Sequence, residues 1–150
     1  MEIAIIVICL LLSAFFSGME IAYVSSNKVF LSIEKRQQTF SASILNKLTE
    51  KPSQFITAML VGNNIVLVIY GIYSGDLIMK WLENYFVLSA FVNLLLQTLL
   101  STAIIVLTAE FLPKVFFQIY ANSAIKLFAL PAYIFQQLLF WPTKFIIWIS

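Results

Sequence analysis

The chain has 150 residues, of which 61% are hydrophobic and 11% are charged, and its formal net charge is +2. Because about a quarter of the residues in soluble domains are charged, this composition excludes an ordinary soluble domain, a disordered tail and a coiled coil, and the weak net charge gives no support for nucleic-acid binding. A single cysteine and the absence of histidine exclude an intramolecular disulfide, a histidine-based zinc site and Ser-His-Asp or Cys-His catalysis. The sequence therefore predicts an all-α membrane protein, whose spans each need about 20 residues.

The chain begins with an apolar run over residues 3–24, which predicts the first membrane span. Only Met1 and Glu2 precede the run, so the basic segment that opens a secretory signal peptide is missing. We therefore interpret the run as a span that is retained.

A polar and basic stretch follows the first span. It carries a group of cations, which are Lys28, Lys35, Arg36, Lys47 and Lys51. Apolar residues recur through it at roughly helical spacing, which predicts two short cytoplasmic amphipathic helices at the membrane interface over residues 27–51. Pro52 ends the second of these helices.

Residues 55–73 predict the second span. Ser74, Gly75 and Asp76 are turn-forming residues, so we expect the helix to stop there. Residues 77–85 then form an interfacial piece, because their aromatic side chains suit the headgroup region.

Residues 86–112 predict the third span, which ends at Pro113. We interpret residues 123–150 as one juxtamembrane helix that lies along the membrane surface. A fourth span is the alternative, since residues 127–143 are uncharged and just long enough to cross.

The distribution of lysine and arginine predicts the orientation of the chain. The basic stretch follows the first span, Lys80 follows the second, and Lys114 and Lys126 follow the third. Since the most basic loop belongs in the cytoplasm, we expect the N-terminus outside and the C-terminus inside, as three spans require.

Two carboxylates lie in apolar surroundings: Glu20 near the inner end of the first span and Glu110 in the last turns of the third. A carboxylate at the bilayer centre costs about 2.5–3.5 kcal/mol, so such groups normally face the protein interior or a water-filled cavity. The alternative is that each is an interfacial anchor that reaches water. Pro113 has no N–H, so the carbonyl of Ala109, beside Glu110, loses its helical hydrogen bond.

Two stripes run along the first span. Ser13 and Ser17 form a polar stripe, with Glu20 on the same side. A hydrogen bond back to its own helix explains Ser13 equally well. The second stripe has small residues that let another helix approach closely, and it consists of Ala14, Gly18 and Ala22.

Gly62, Asn63 and Asn64 interrupt the second span. The two amides point about 100° apart on a helix, so they cannot both face lipid without leaving polar groups unsatisfied. We expect at least one to line an interior site, and hydrogen bonding between helices is the alternative. Gly62 weakens the helix and favours exposure of its carbonyl.

Oxygen-bearing groups thus occur in all three predicted spans. Carboxylate, amide, hydroxyl and carbonyl oxygens are the ligands of hard cations such as Mg²⁺ and Ca²⁺. The chain has no phosphate-binding glycine loop, so it does not encode ATP-driven pumping.

Three motifs resemble those of the CorC/CNNM (cyclin M) family, in the transmembrane module called domain of unknown function 21. Residues 15–22, FFSGMEIA, resemble the family's FFSGxExA signature. Residues 61–64, VGNN, resemble its GNN motif, and residues 108–114, TAEFLPK, resemble its (T/G)E-x-x-PK motif. The motifs stand in the family's order and together cover nearly the whole chain.

The resemblance implies a homodimeric membrane domain that exports Mg²⁺ in exchange for Na⁺ and is not an enzyme. It implies that the ion, largely stripped of water, is held by oxygens of Ser17, Gly62, Asn63 or Asn64, and Glu110. Positions that support the site or line the ion pathway are Ser13, Gly18, Glu20, Ser25, Pro113 and Lys114. Among these, Ser25 is the alternative serine ligand.

The chain departs from the family pattern at two points. Leu67, Val68 and Ile69 stand where many relatives place another asparagine, which weakens the case for a Na⁺ site or a second ion site. Relatives usually continue into nucleotide-binding CBS domains, so we expect this chain to be part of a longer protein whose ATP-linked regulation lies outside it.

Two other functions are open at this point. A membrane anchor or scaffold for cytoplasmic CBS domains would use the polar residues only to join helices. An intramembrane enzyme would need either a Ser-Lys arrangement or a carboxylate pair, such as Glu20 and Glu110, close enough to share a proton.

Overall fold

The computed structural model describes residues 1–37, 39–85 and 89–149, which are almost entirely helical. In chain order the helices are α1 (Glu2–Ser25), α2 (Lys28–Arg36), α3 (Phe40–Thr49), α4 (Pro52–Tyr85), α5 (Ala90–Ile105), α6 (Leu112–Ile119), α7 (Ala121–Leu127), α8 (Ala129–Leu138) and α9 (Phe140–Ile149). A π-helical segment, Val106–Phe111, joins α5 to α6. Since these ranges contain no strand, the predicted all-α class is confirmed.

Three helical stretches are long and apolar enough to cross a membrane, as predicted. They are Glu2–Ser25, Pro52–Tyr85 and Ala90–Ile119, with mean hydropathies of 2.3, 1.9 and 2.1. The third runs through α5, the π segment and α6. Positions 86–88, which the sequence assigns to the start of the third span, lie outside the described residues.

α1 lies at the centre of the bundle. It packs against α4, against the π segment with α6, and against α7. Phe16 and Met19 of α1 are buried in one core with Phe55 and Met59 of α4 and Ile125 of α7. In lipid such packing is stabilised by van der Waals contact rather than by removal of apolar surface from water.

The two predicted interfacial helices correspond to α2 and α3, and position 38 between them lies outside the described residues. Each begins at a side-chain cap. Asn27 Oδ1 accepts a hydrogen bond from the N–H of Val29 at 2.8 Å, and Thr39 Oγ1 accepts one from the N–H of Ala42 at 3.2 Å. These caps satisfy N–H groups that have no partner inside the helix.

The predicted turn at residues 74–76 is wrong, because α4 continues through it to Tyr85. Ser74 is buried and its Oγ lies 2.8 Å from Oγ of Ser101 on α5. Gly75 lies against Gln97 of the same helix. The helix continues through these turn-forming residues because a turn would leave backbone groups without hydrogen bonds in lipid. The polar side chains of the segment contact a neighbouring helix instead.

The predicted end of the third span at Pro113 is also wrong, because the helix runs on to Ile119. Just before the proline the helix widens to a π-helix over Val106–Phe111, where the N–H of Leu112 donates to the carbonyl of Leu107. This wider turn changes the hydrogen-bond register where proline would otherwise clash with the preceding turn.

The single juxtamembrane helix predicted over 123–150 is instead the series α7, α8 and α9, divided at Phe128 and Leu139. Pro131 and Pro142 explain both breaks. Each lacks the N–H that would bond the carbonyl four residues earlier, and that carbonyl belongs to the last residue of α7 or of α8. Position 150 lies outside the described residues.

The three short helices pack against earlier helices of the chain. α8 packs on α3 and α4, and α9 packs on α4. A salt bridge of 2.9 Å between Lys126 Nζ and Glu34 Oε2 ties α7 to α2. None of the three is long enough to cross a membrane.

Candidate functional site

A buried hydrogen bond joins α1 to α4 within the apolar part of the bundle. Ser13 Oγ donates to Asn63 Oδ1 at 2.6 Å. The two residues are 0% and 7% exposed. Ser13 therefore donates its proton to another helix, and the alternative that it bonds back to its own helix is wrong.

One turn further along α1, Ser17 contacts the third long helix. Its Oγ donates to the carbonyl oxygen of Ala109 at 2.8 Å, whereas the carbonyl of Ala14 on its own helix is 3.5 Å away. Ala109 lies in the π segment and is completely buried. Because Pro113 has no N–H to offer this carbonyl, the serine hydroxyl supplies a donor in its place.

Two glycines of the predicted motifs lie where any side chain would collide with an aromatic ring. A Cβ on Gly18 would be 2.7 Å from ring atoms of Phe117 on α6, and one on Gly62 would be 2.8 Å from the ring of Phe16 on α1. Real Cβ atoms do not approach that closely. The small-residue stripe of α1 thus admits an aromatic ring at Gly18, not the backbone of another helix.

The two intramembrane carboxylates are only partly exposed. Glu110 follows Ala109 in the π segment, and Glu20 lies one turn beyond Ser17 on α1. In the part of the chain that the structure describes, neither carboxylate forms an ion pair or a hydrogen bond.

The structure brings together Ser13, Ser17, Asn63 and the Ala109 carbonyl at the junction of the three long helices. It does not bring Asn64 to that junction, because this side chain is exposed. The end of α1 holds Ser25, which is also exposed.

The remaining predicted residues lie around this junction. Pro113 and Lys114, both partly buried, follow the π segment at the start of α6. Among the described residues no three acidic, cysteine or histidine side chains are close enough to share a metal ion. A cation at the junction would therefore rest mainly on neutral oxygens, supplemented by two carboxylates at most.

A second polar contact between α4 and α5 was missed by the sequence analysis. In addition to the Ser74–Ser101 contact, Tyr70 Oη donates to the carbonyl of Ser101 at 3.4 Å. Asn63, Tyr70 and Ser74 lie seven and four residues apart, which places them on one buried face of α4. This spacing is the signal from which the contact was predictable.

Comparison with known proteins agrees with the motifs. Residues 4–150 match the family described as the cyclin M transmembrane N-terminal domain. A "UPF0053 protein" of Haemophilus influenzae is 42% identical over 62 residues, which are 41% of this chain and 15% of that protein's length. The chain thus spans only a small part of this relative. The family match covers nearly all of this chain and confirms the resemblance. The chain belongs to the cyclin M transmembrane N-terminal domain family.

Proposed function

We propose that this domain carries Mg²⁺ across the membrane, exporting it in exchange for Na⁺, by way of oxygen ligands at the junction of the three long helices. The observation that carries the proposal is the hydrogen bond from Ser17 to the Ala109 carbonyl, within a π segment that also bears Glu110. Segments of π-helix inside α-helices are frequent at functional sites.

The donor set of the proposed site suits a hard divalent cation. Ser17 supplies a hydroxyl, Gly62 a carbonyl, Asn63 an amide oxygen and Glu110 a carboxylate. Asn63 Oδ1 already accepts from Ser13, and its second lone pair is available for an ion. Burial favours Asn63 over the exposed Asn64 as the ligand.

The supporting positions have distinct parts in this proposal. Pro113 removes the donor that would otherwise occupy the Ala109 carbonyl. Ser13 orients the Asn63 amide. We assign Glu20 and Lys114 to the ion pathway because both are charged residues of the motifs and are partly exposed.

The proposed assembly is a homodimer with its N-terminus outside and its C-terminus in the cytoplasm, followed in the full-length protein by CBS domains. Only 11% of the most apolar window of Ala90–Ile119 is buried, so this span has a large face for lipid or a second copy. The basic α2–α3 segment lies with α7 at one end of the bundle, where Lys126 binds Glu34. Lys80 binds Glu2, near the ends of α4 and α1 opposite that segment.

Calorimetric titration of Mg²⁺ into the purified chain tests the proposed site. Glu110→Gln keeps the side chain's size but removes its charge, so we expect Mg²⁺ binding to weaken about 10- to 100-fold. Asn63→Ala should weaken binding as well, whereas the matched control Asn64→Ala should leave it unchanged. Saturable binding that is the same in all three variants would contradict the proposal.

The second candidate function is a membrane anchor for cytoplasmic domains. It is favoured by the hydrogen bonds that Ser13 and Ser17 both donate to other helices, as expected of polar residues that only join helices. Under this alternative, Glu110→Gln would leave ion flux into vesicles by the full-length protein unchanged. Loss of flux in a folded variant would exclude it.

A further inference from the structure

A cleft that the proposed ion site does not use opens between the α3–α4 corner and the helices α8 and α9. It consists of two hollows of about 310 and 540 Å³. Both hollows are lined by Glu50, Lys51, Gln54 and Phe140, so they adjoin. We call them together the corner cleft.

The corner cleft is positively charged. Lys47, Lys51 and Lys144 line it, opposed by the single carboxylate of Glu50. In the described ranges the ion pairs are formed by other lysines, Lys80 and Lys126, so none of these three ammonium groups is in an ion pair and the lining keeps a positive excess. Lys144 Nζ lies 5.8 Å from the ring centroid of Phe140, which directs it along the wall of the cleft.

The first turn of α4 adds to this charge. The helix begins at Pro52, and Ser53 and Gln54 of its first turn line the cleft. Backbone N–H groups in a first helical turn have no acceptor within their own helix, and the helix dipole is positive at that end. A helix N-terminus beside lysines is an environment that favours a phosphate group.

We expect the cleft to lie at the level of the membrane surface. Trp141 and Trp148 of α9 are 78% and 81% exposed, as expected of side chains in the headgroup region. The core of α4 begins at Phe55, three residues after its first residue. Ile147 lines the cleft beside Lys144, which gives the polar hollow an apolar edge.

We propose that the corner cleft binds the phosphate headgroup of an anionic phospholipid, such as phosphatidylglycerol. The phosphate lies against Lys47, Lys51 and Lys144. The acyl chains leave past Ile147 into the bilayer. The bound lipid thereby joins α9 to the start of α4, whichever function the ion site has.

Native mass spectrometry of the chain, purified in detergent with added phosphatidylglycerol or phosphatidylcholine, tests the proposal. We expect phosphatidylglycerol to be retained preferentially, and the double variant Lys51→Gln/Lys144→Gln to bind it about 30-fold more weakly. Both lysines are exposed, so the variant should fold. The matched control Lys28→Gln/Lys35→Gln removes the same charge from α2, outside the cleft, and should retain the lipid.

Three results would overturn the proposal. Equal retention of phosphatidylglycerol and phosphatidylcholine would show that the cleft does not select an anionic headgroup. Equal losses in both double variants would show that only overall charge matters. Displacement of the lipid by millimolar inorganic phosphate would show a site for the free anion instead.

Discussion

Ser17 has one proton to donate, and it donates it to a carbonyl of a helix 92 residues away in sequence. Ser17→Ala leaves the Ala109 carbonyl without this donor. Hydrogen bonds between membrane helices contribute about 0.6 kcal/mol on average and up to about 1.7 kcal/mol, so we expect the free energy of unfolding to fall by about 1 kcal/mol. Denaturant unfolding in detergent measures this change. Ser25→Ala, on the same helix but exposed, should cost almost nothing, and an equal cost for both variants would contradict the assignment.

A second prediction concerns Gly18, where an added side chain would clash with a neighbouring ring. In Gly18→Ala the new methyl would lie 2.7 Å from the Phe117 ring, so we expect a loss of stability of about 1–3 kcal/mol, typical of overpacking. Gly71→Ala is the control, because nothing lies within 4 Å of a Cβ there and alanine favours a helix by about 0.5–1 kcal/mol over glycine. The thermal unfolding midpoints of the two variants should therefore shift in opposite directions.

At the residue scale, the sequence indicates which polar residues of a span need a partner, but not which way their side chains point. That Ser17 and Asn63 contact other helices was predictable, because polar side chains in apolar spans need partners inside the protein. The part of Ser17, Asn63 and Glu110 as ion ligands stays a prediction. Which of Asn63 and Asn64 is buried was not predictable, since it depends on the rotation of α4 about its axis relative to α1. That rotation is set by contacts such as Gly62 against Phe16, which involve residues distant in sequence.

At the scale of helices, the α4–α5 contact shows why local signals failed. Ser74 and its neighbours are turn formers in water, but in lipid an unbroken helix satisfies its own backbone. Pro113 led to a wrong prediction of the helix end for a similar reason. The π segment and the Ser17 hydroxyl on α1 compensate for the hydrogen bond that the proline cannot make, so the helix continues. The three spans themselves were predictable, because length and hydropathy alone define them.

A double-mutant cycle measures this helix contact. Ser74→Ala and Ser101→Ala each remove one partner of the 2.8 Å contact between hydroxyl oxygens. We expect the double variant to lose less stability than the sum of the single variants, by about 0.6–1.7 kcal/mol. Additive losses in the unfolding free energy would show that the two hydroxyls do not interact.

At the scale of the whole molecule, the two salt bridges mark opposite ends of the bundle. Lys80 and Glu2 lie at one end, and Lys126 and Glu34 lie at the other. We expect a membrane-impermeant thiol reagent to label Lys80→Cys in intact cells, and Lys28→Cys only after permeabilisation. Cys9 is 4% exposed, so the unmodified chain provides a background with little labelling. The reverse labelling pattern would invert the proposed orientation.

The long sequence separation of the Ser17–Ala109 contact has a consequence for biosynthesis. At about 5–20 residues per second, the ribosome needs about 5–18 s to extend the chain by the 92 residues between these partners. During that interval α1 must stay in the membrane with its polar stripe not yet paired to the third span. Its mean hydropathy of 2.3, higher than the 1.9 and 2.1 of the later spans, suits a helix that has to wait in lipid for its neighbours.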